Sequence, residues 1–428
     1  GDTVTARQES LVSIEIRQGL MALATGALSG VFTAVMLGLI SGIGEQLWGE
    51  KTEQGLTTSI PLLWSLVVCG GVGVILAVVE RGDDRNLLPE LPETMEDLRD
   101  PDHAPQRHEW RSILAAALAQ IGGAPVGPEA LLTRLVTIAS QTLWRGRDRA
   151  LSDAAVAGSL GIFEAPLLGG VVVNQHRVNL HSRWIPGSIG GIAGFAVFGG
   201  ILEVTGGSMA RVPYIWPTTF REDLGSVSVG LLAGLVGSAL GLALRQWRGA
   251  LQRRQLLKHW RWWPVITGLL LGMLLHWFPM VGFAGEHQVI PLLDGANKDT
   301  VPLLLSIGLL KLLMLGLCLE TGWRGGIFFP GFVLACAFGG GLHELLPQLG
   351  SIGSWCAGVT SGFFMLMLGR PLVVLVLSIC LMQGHGTASA LIGVGVAVLI
   401  SRRFGGGNDV PPPHPETPDS PECPEPQS

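Results

Sequence analysis

The sequence has few charged residues. Asp, Glu, Lys and Arg make up 14% of its 428 residues, whereas hydrophobic residues make up 48%. A soluble domain carries about 25% charged residues, so the composition argues against one. Several runs approach the roughly 20 apolar residues that cross a bilayer. They are 20–43, 60–79, 185–204, 227–244, 265–283 and 301–319. The sequence therefore predicts an all-α polytopic membrane protein.

The sequence also lacks the patterns of metal sites and membrane-embedded enzymes. Its six cysteines show no paired metal spacing and no disulfide framework. The apolar runs hold no Asp at depth, there is no G-x-S-x-G elbow, and HEL at 343–345 lacks the second histidine of H-E-x-x-H. We expect no metal, no cofactor, no enzymatic activity and no nucleic-acid partner.

Basic residues are clustered between and after the apolar runs. An excess of Lys and Arg marks cytoplasmic loops. The clusters are Arg145, Arg147 and Arg149; Arg245, Arg248, Arg253, Arg254, Lys258 and Arg261; and Arg402 with Arg403. We therefore expect a multi-pass protein of the cell membrane, most simply a bacterial inner membrane, with a cytoplasmic C-terminus. The Pro-rich, acidic residues 404–428 predict a disordered tail.

Glycine and proline interrupt the apolar runs in a matched way. GPEALL at 127–132 is followed by FEAPLLGGVVV at 163–173, and GGIFFP at 325–330 is followed by GRPLVVLVL at 369–377. Broken helices at matching places in two halves are typical of transporters built as inverted repeats. The expected parts are an N-terminal segment 1–10, half-repeats 11–204 and 226–403, and an outer connection 205–225. The starts at Gly127 and Gly326 should converge near the membrane centre.

Glu129 lies where one of these broken helices begins. A helix N-terminus leaves N–H groups unpaired and carries about half a positive charge, so it binds anions without a formal cation. An ionised carboxylate there occupies an anion's own site, and it leaves when it is protonated. Glu129 could therefore act as a gate, a proton carrier or both. The alternative role is an ordinary acidic residue that stabilises a first helical turn.

Five stretches carry a resemblance to the CLC family of chloride channels and proton/chloride antiporters. The most specific is LLKLLMLGLCLETGWRGGIFFPGFVLACAFGGGL, which resembles a family helix followed by G-G-x-F-x-P. The others are VGPEALL, AGSLGIFEAPLLGGVVV, GEHQVIPLLDG and the stretch at 358–400, and the match covers roughly residues 60–403. The resemblance implies a CLC-like inverted repeat of broken and tilted transmembrane helices. It also implies a homodimer with one anion pathway per subunit.

The resemblance assigns roles to individual positions. Glu129 matches the external gating glutamate, and Ile327 and Phe328 match the residues whose amides hold the central anion. Backbone amides of Gly127, Glu129 and Ala130 would lie near the outer anion site.

Other positions depart from the family pattern. Asn86 in RNLLPE is the best counterpart of the serine that binds the central anion, and His176 aligns with the antiporters' inner proton glutamate. His176 could relay protons, or it could be an interfacial histidine at a helix end. The family tyrosine after residue 400 is missing, because the one tyrosine is Tyr214. These departures resemble an atypical bacterial subgroup.

The expected function is transmembrane transport of a chloride-type anion through a glutamate gate. The missing tyrosine and inner glutamate favour channel-like or weakly proton-coupled movement, because conduction needs binding loose enough to release the ion. A strict proton/anion antiporter of chloride or fluoride is the alternative. A secondary transporter of organic anions fits less well, because carboxylate substrates usually require Arg. The sequence leaves open chloride, nitrate, bromide and fluoride as the transported anion.

Overall fold

The structure is a computed structural model that describes residues 2–49, 59–80, 109–143, 149–160, 184–205, 214–216, 227–254 and 260–404. Fourteen α-helices lie in these ranges. They are α1 (Asp2–Trp48), α2 (Leu62–Val79), α3 (Glu109–Ile121), α4 (Glu129–Leu143), α5 (Arg149–Ser159), α6 (Trp184–Thr205), α7 (Val227–Arg253), α8 (Trp263–Trp277), α9 (Val289–Asp294), α10 (Val301–Glu320), α11 (Phe328–Leu345), α12 (Ile352–Leu368), α13 (Pro371–Leu381) and α14 (Thr387–Phe404).

Seven helices of the described ranges are long and apolar enough to cross a membrane. They lie in α1, α2, α6, α7, α10, α11 and α14. The shorter apolar helices α8, α12 and α13 pack among them. Large apolar side chains such as Leu63, Val67 and Leu235 remain exposed on the outside of the bundle, where a bilayer would cover them. The prediction of an all-α polytopic membrane protein is confirmed.

Two element boundaries differ from the sequence prediction. Helix α1 begins at Asp2, so segment 1–10 continues into the first membrane helix and is not separate from it. The apolar run 265–283 does not form one helix, because α8 ends at Trp277 and Pro279 opens a short 3-10 turn. Proline cannot continue a helix interior, since it lacks the N–H group and clashes with the preceding turn. The chain beyond α8 forms a loop that reaches the candidate site.

Two groups of three helices pack through glycine. In the first group α5 lies against α1 and α6, and in the second α12 lies against α7 and α14. A Cβ on Gly158 would lie 2.6 Å from the Gly26 carbonyl oxygen, and a Cβ on Gly362 would lie 2.6 Å from that of Gly234. Small residues let membrane helices approach to backbone contact. In each group a helix that precedes the start of α4 or α11 in the chain packs against two helices that follow that start.

The segments that precede α4 and α11 meet inside the bundle. Gly127 and Gly326 form an isolated antiparallel bridge, with both N–H···O bonds made, at 2.8 and 2.9 Å. The expected convergence of these two helix starts is therefore present. Most of the expected connection 205–225, and residues 405–428, lie outside the described residues. The division into half-repeats remains a prediction.

Candidate functional site

The site is assembled from the starts of α4 and α11. Gly123 adopts a left-handed φ of +84° directly after α3, which turns the chain towards Gly127. Gln120 Nε2 supports the turn by donating to the Gly127 carbonyl at 3.2 Å. Because Gly127 is bridged to Gly326, the first turns of both helices lie side by side. Two positive helix ends thereby face one small region of the interior.

The carboxylate of Glu129 fills the space between these helix ends. Phe328 N donates to Glu129 Oε1 at 2.8 Å, so a carboxylate of the first half binds the first amide of α11 in the second half. The Glu129 residue is 3% exposed. Its Oε2 is buried and has no hydrogen-bond partner among the described residues. Within the part of the chain that the structure describes, the Phe328 amide thus holds an anionic group to which no lysine or arginine is hydrogen-bonded.

Glycine at positions 127 and 326 leaves room for this carboxylate. A Cβ on either glycine would collide with the carboxyl group of Glu129. Side chains at these positions would therefore displace the carboxylate. The aromatic ring of Phe328 packs on Phe364, with ring centroids 5.4 Å apart, and closes the side next to the amide. The surroundings of the Phe328 amide are therefore buried and mostly apolar.

The anion-site residues expected from the sequence fall into three groups. Glu129 and Phe328 lie together, with Ile327 directly before α11 and Ala130 buried in the first turn of α4. Gly127 differs from expectation: its amide donates to the Gly326 carbonyl, so it is not available to an anion. Asn86 and His176 lie outside the described residues.

The one tyrosine is buried, and it lies far along the chain from the starts of α4 and α11. Tyr214 stacks edge-to-face on Trp216 at 4.7 Å between ring centroids, in the connection between α6 and α7. Burial raises the pKa of Tyr214 to about 12, so its hydroxyl stays neutral.

A buried ion pair fixes the segment before α11. Arg324 Nε lies 2.8 Å from Glu80 Oε1, with side chains 4% and 9% exposed. The pair joins the end of α2 to the residues directly before Gly325 and Gly326. The sequence showed Arg324 at the edge of a glycine-rich helix start, but it gave no signal for its partner Glu80, because 244 residues separate them.

A second buried cation organises the loop after α8. Lys311 of α10 is fully buried, and its Nζ lies 3.1–3.4 Å from the carbonyl oxygens of residues 280–283 and from Gln288 Oε1. The same loop is bonded to the site segment, because Phe283 N donates to the Gly123 carbonyl at 2.9 Å. The sequence predicts that a charge in α10 must be paired, but it does not reveal that backbone carbonyls supply the partners.

A cavity of about 100 Å³ lies beside the start of α4. Its walls come from α1, the segment before α4 and the loop after α8. Polar lining residues are Ser41, Glu45, Gln120, Glu286 and His287, and Pro128 next to Glu129 forms part of the wall. The cavity therefore approaches Glu129 from the end of the bundle where α1 and α8 end.

Broken membrane helices whose N-termini converge on one buried carboxylate define a class of membrane anion transporters. The family model "Voltage gated chloride channel" matches residues 84–404. The chain belongs to this family, the CLC family, and is an anion-transport protein of the membrane.

Known relatives agree with this assignment. The chain is 26% identical over 352 residues to the protein named H(+)/Cl(-) exchange transporter ClcA of Yersinia pestis bv. Antiqua (strain Angola), a match that covers 75% of this chain and 70% of the relative. A slow cyanobacterial Cl-/H+ antiporter has the same fold at a TM-score of 0.68, with 16% identity and 91% and 95% of the two chains covered. A CLC-type fluoride/proton antiporter matches at 0.65, with 17% identity and coverage of 91% and 96%.

Proposed function

We propose that this protein moves a small chloride-type anion across the membrane through a pathway gated by Glu129, with channel-like or weakly proton-coupled transport. The observation that carries the proposal is the 2.8 Å hydrogen bond from Phe328 N to Glu129 Oε1. A carboxylate and a halide compete for the same amide, because both are anions at a helix N-terminus. The ionised side chain therefore closes the pathway by occupying the anion's position.

Protonation opens the pathway in this account. Protonation weakens the hydrogen bond from Phe328, because a hydrogen bond to a charged group contributes about 1.5–3 kcal/mol and a neutral one about 0.5–1.5 kcal/mol. An anion can then take the amide, with Ile327 and Ala130 beside it as expected ligands. Because no fixed cation is hydrogen-bonded to the Glu129 carboxylate, the anion is held weakly enough to leave again.

The inner end of the pathway decides how tightly anions and protons are coupled. The sequence has no tyrosine after residue 400, and His176 stands where the antiporters have an inner glutamate. An inner end without those groups should let an anion pass without a matching proton. Asn86 remains the proposed inner anion ligand.

Proton/anion antiport is the second candidate function, because the relatives are named as Cl-/H+ and fluoride/proton antiporters. In that case His176 relays protons in place of a carboxylate, since imidazole titrates near neutral pH.

The reversal potential distinguishes the two candidates. We expect purified protein in a bilayer, with symmetric chloride and a proton gradient, to reverse near zero, because an anion channel does not sense the proton gradient. A reversal that follows the proton gradient and is abolished by His176→Ala would establish antiport and overturn the channel-like account. The same measurement with fluoride, bromide or nitrate in place of chloride then gives the anion selectivity.

The proposed orientation follows from the basic residues. Arg253 ends α7, and Arg402 and Arg403 lie in the last turn of α14. Positive charge favours the cytoplasm, so these ends and the C-terminus are proposed to be inside. Helix α8 follows α7 in the chain, so it is proposed to begin on the cytoplasmic side. The cavity lies beyond the other end of α8 and is therefore proposed to face outside. By family resemblance we propose a homodimer with one pathway in each subunit.

A further inference from the structure

The cavity beside α4 contains a carboxyl group that the anion pathway does not use. Glu286 begins a short 3-10 turn, is half-buried, and lines the cavity together with Glu45 and Pro128. Its Oε2 is buried and makes no hydrogen bond to the residues that the structure describes. An unsatisfied buried carboxylate oxygen is costly, so its position requires a reason.

Glu286 lies within electrostatic range of the gate carboxylate and of a buried cation. Its charge interacts with both Glu129 and Lys311. The Lys311 ammonium binds the carbonyl oxygens of residues 280–283 and thereby fixes the loop that carries Glu286. Glu286 is consequently a carboxylate on a rigid loop, with access to the cavity and electrostatic contact with the gate.

We propose that Glu286 is the proton-transfer residue through which protons from the cavity reach Glu129, an inference that rests on the gating role proposed for Glu129. The Glu286 carboxylate takes a proton from hydronium in the cavity and leaves water. It then gives that proton, through cavity water, to the Glu129 carboxylate and becomes ionised again. Glu286 thus returns to its starting negative charge, and Glu129 becomes neutral and leaves the Phe328 amide.

Other titratable groups surround Glu286. Glu45 of α1 faces the same cavity, His287 follows in the same turn, and Lys311 faces the loop from α10. Helix α9 ends at the exposed Asp294, and α11 carries His343 and Glu344 only in its last turn, far along the chain from Phe328. Of these groups, Glu286 combines a buried carboxylate oxygen that has no hydrogen-bond partner among the described residues with a place on the cavity wall that Pro128 also forms, and this singles it out as the relay.

The test measures how fast the gate responds to pH. Anion flux into vesicles that contain the full-length protein is followed after a rapid drop in outside pH. We expect Glu286→Gln to slow the change in flux about tenfold, because positioned proton transfer contributes factors of this size or larger. Glu286→Asp should respond within about twofold of the unmodified protein. A high concentration of imidazole should restore the fast response of Glu286→Gln by carrying protons itself.

Matched controls separate proton transfer from surface charge and from folding. Glu203→Gln makes the same change at an exposed position of α6 and should respond like the unmodified protein. An unchanged response in Glu286→Gln would overturn the proposal, as would equal slowing in Glu45→Gln, which would point to the electrostatic field of the cavity mouth. The proposal would also be overturned if imidazole did not restore the fast response of Glu286→Gln.

The outcome is distinguishable from failure of the gate itself. If Glu129→Gln keeps the full pH response, the gating role of Glu129 is wrong. If Glu129→Gln abolishes the response and Glu286→Gln leaves its rate unchanged, the gate stands and only the relay is wrong.

Discussion

Glu129→Gln is expected to make anion flux nearly independent of pH and to raise flux at neutral pH about fivefold to tenfold. The amide keeps the shape of the side chain but removes the charge that strengthens its hydrogen bond with Phe328 N. A hydrogen bond to a charged group contributes about 1.5–3 kcal/mol and a neutral one about 0.5–1.5 kcal/mol, so the loss is about 1–1.5 kcal/mol, and each 1.4 kcal/mol corresponds to a factor of about ten. In the unmodified protein flux should rise as pH falls, because protonation of Glu129 releases the amide. Flux of chloride from vesicles between acidic and alkaline pH checks this.

The same experiment tests proton movement. Any proton movement that accompanies anion flux should vanish in Glu129→Gln, since the substituted side chain cannot carry a proton. Glu203→Gln, on an exposed face of α6, is the matched control and should behave like the unmodified protein. Retained pH dependence in Glu129→Gln would show that another group closes the pathway.

Lys311→Met is expected to destabilise the protein by about 3–5 kcal/mol. A buried acceptor left without a donor costs about 1–3 kcal/mol, and several acceptors lose theirs here. Methionine fits a similar volume, but it removes the ammonium donor from four backbone carbonyl oxygens and from Gln288 Oε1. Of these, the Gly282 carbonyl keeps its hydrogen bond from Gln288 Nε2. The loop also holds Phe283 at a left-handed φ of 59°, a conformation that the surrounding bonds must stabilise. Loss of the ammonium should release this loop.

Tryptophan fluorescence during thermal unfolding in detergent measures the effect. The transition should fall by roughly 3–6 °C for a loss of this size in a chain of 428 residues. Lys298→Met removes the same charge at an exposed position and should leave the transition within a degree or two, as surface substitutions usually do. A Lys311→Met protein as stable as the Lys298→Met protein would mean that the carbonyls around Nζ do not depend on the ammonium.

The fold was predictable because its signals are local. Apolar runs of bilayer length mark α2, α6, α7 and α10 closely, and proline or glycine marks the breaks. Pro279, which follows the end of α8, was visible in the sequence. The apolar run 265–283 continues across it, so the sequence did not predict that α8 ends at Trp277. The close crossing of α5 and α1 through Gly158 and Gly26 depends on packing between distant segments, which no local pattern encodes.

The candidate site was predictable in part. Glu129 was identified from its place at a glycine-rich helix start, and Phe328 was implied by the resemblance to the CLC family. The direct bond between them, 199 residues apart, required the structure. Three further features depend on the same long-range assembly: the bridge that the Gly127 amide makes, the Glu80–Arg324 ion pair and the position of Glu286 beside the cavity. A helix start predicts free amides, but it does not predict which group occupies them.

The most direct test of the gating account locates an anion at the Phe328 amide. Crystals of Glu129→Gln grown in bromide should show an anomalous peak within hydrogen-bond distance of Phe328 N, because the competing carboxylate is gone. Crystals of the unmodified protein at alkaline pH should show the Glu129 carboxylate there and no bromide peak. A Glu129→Gln protein that transports bromide but binds it only away from Phe328 would contradict the central claim that Glu129 occupies the anion's own site.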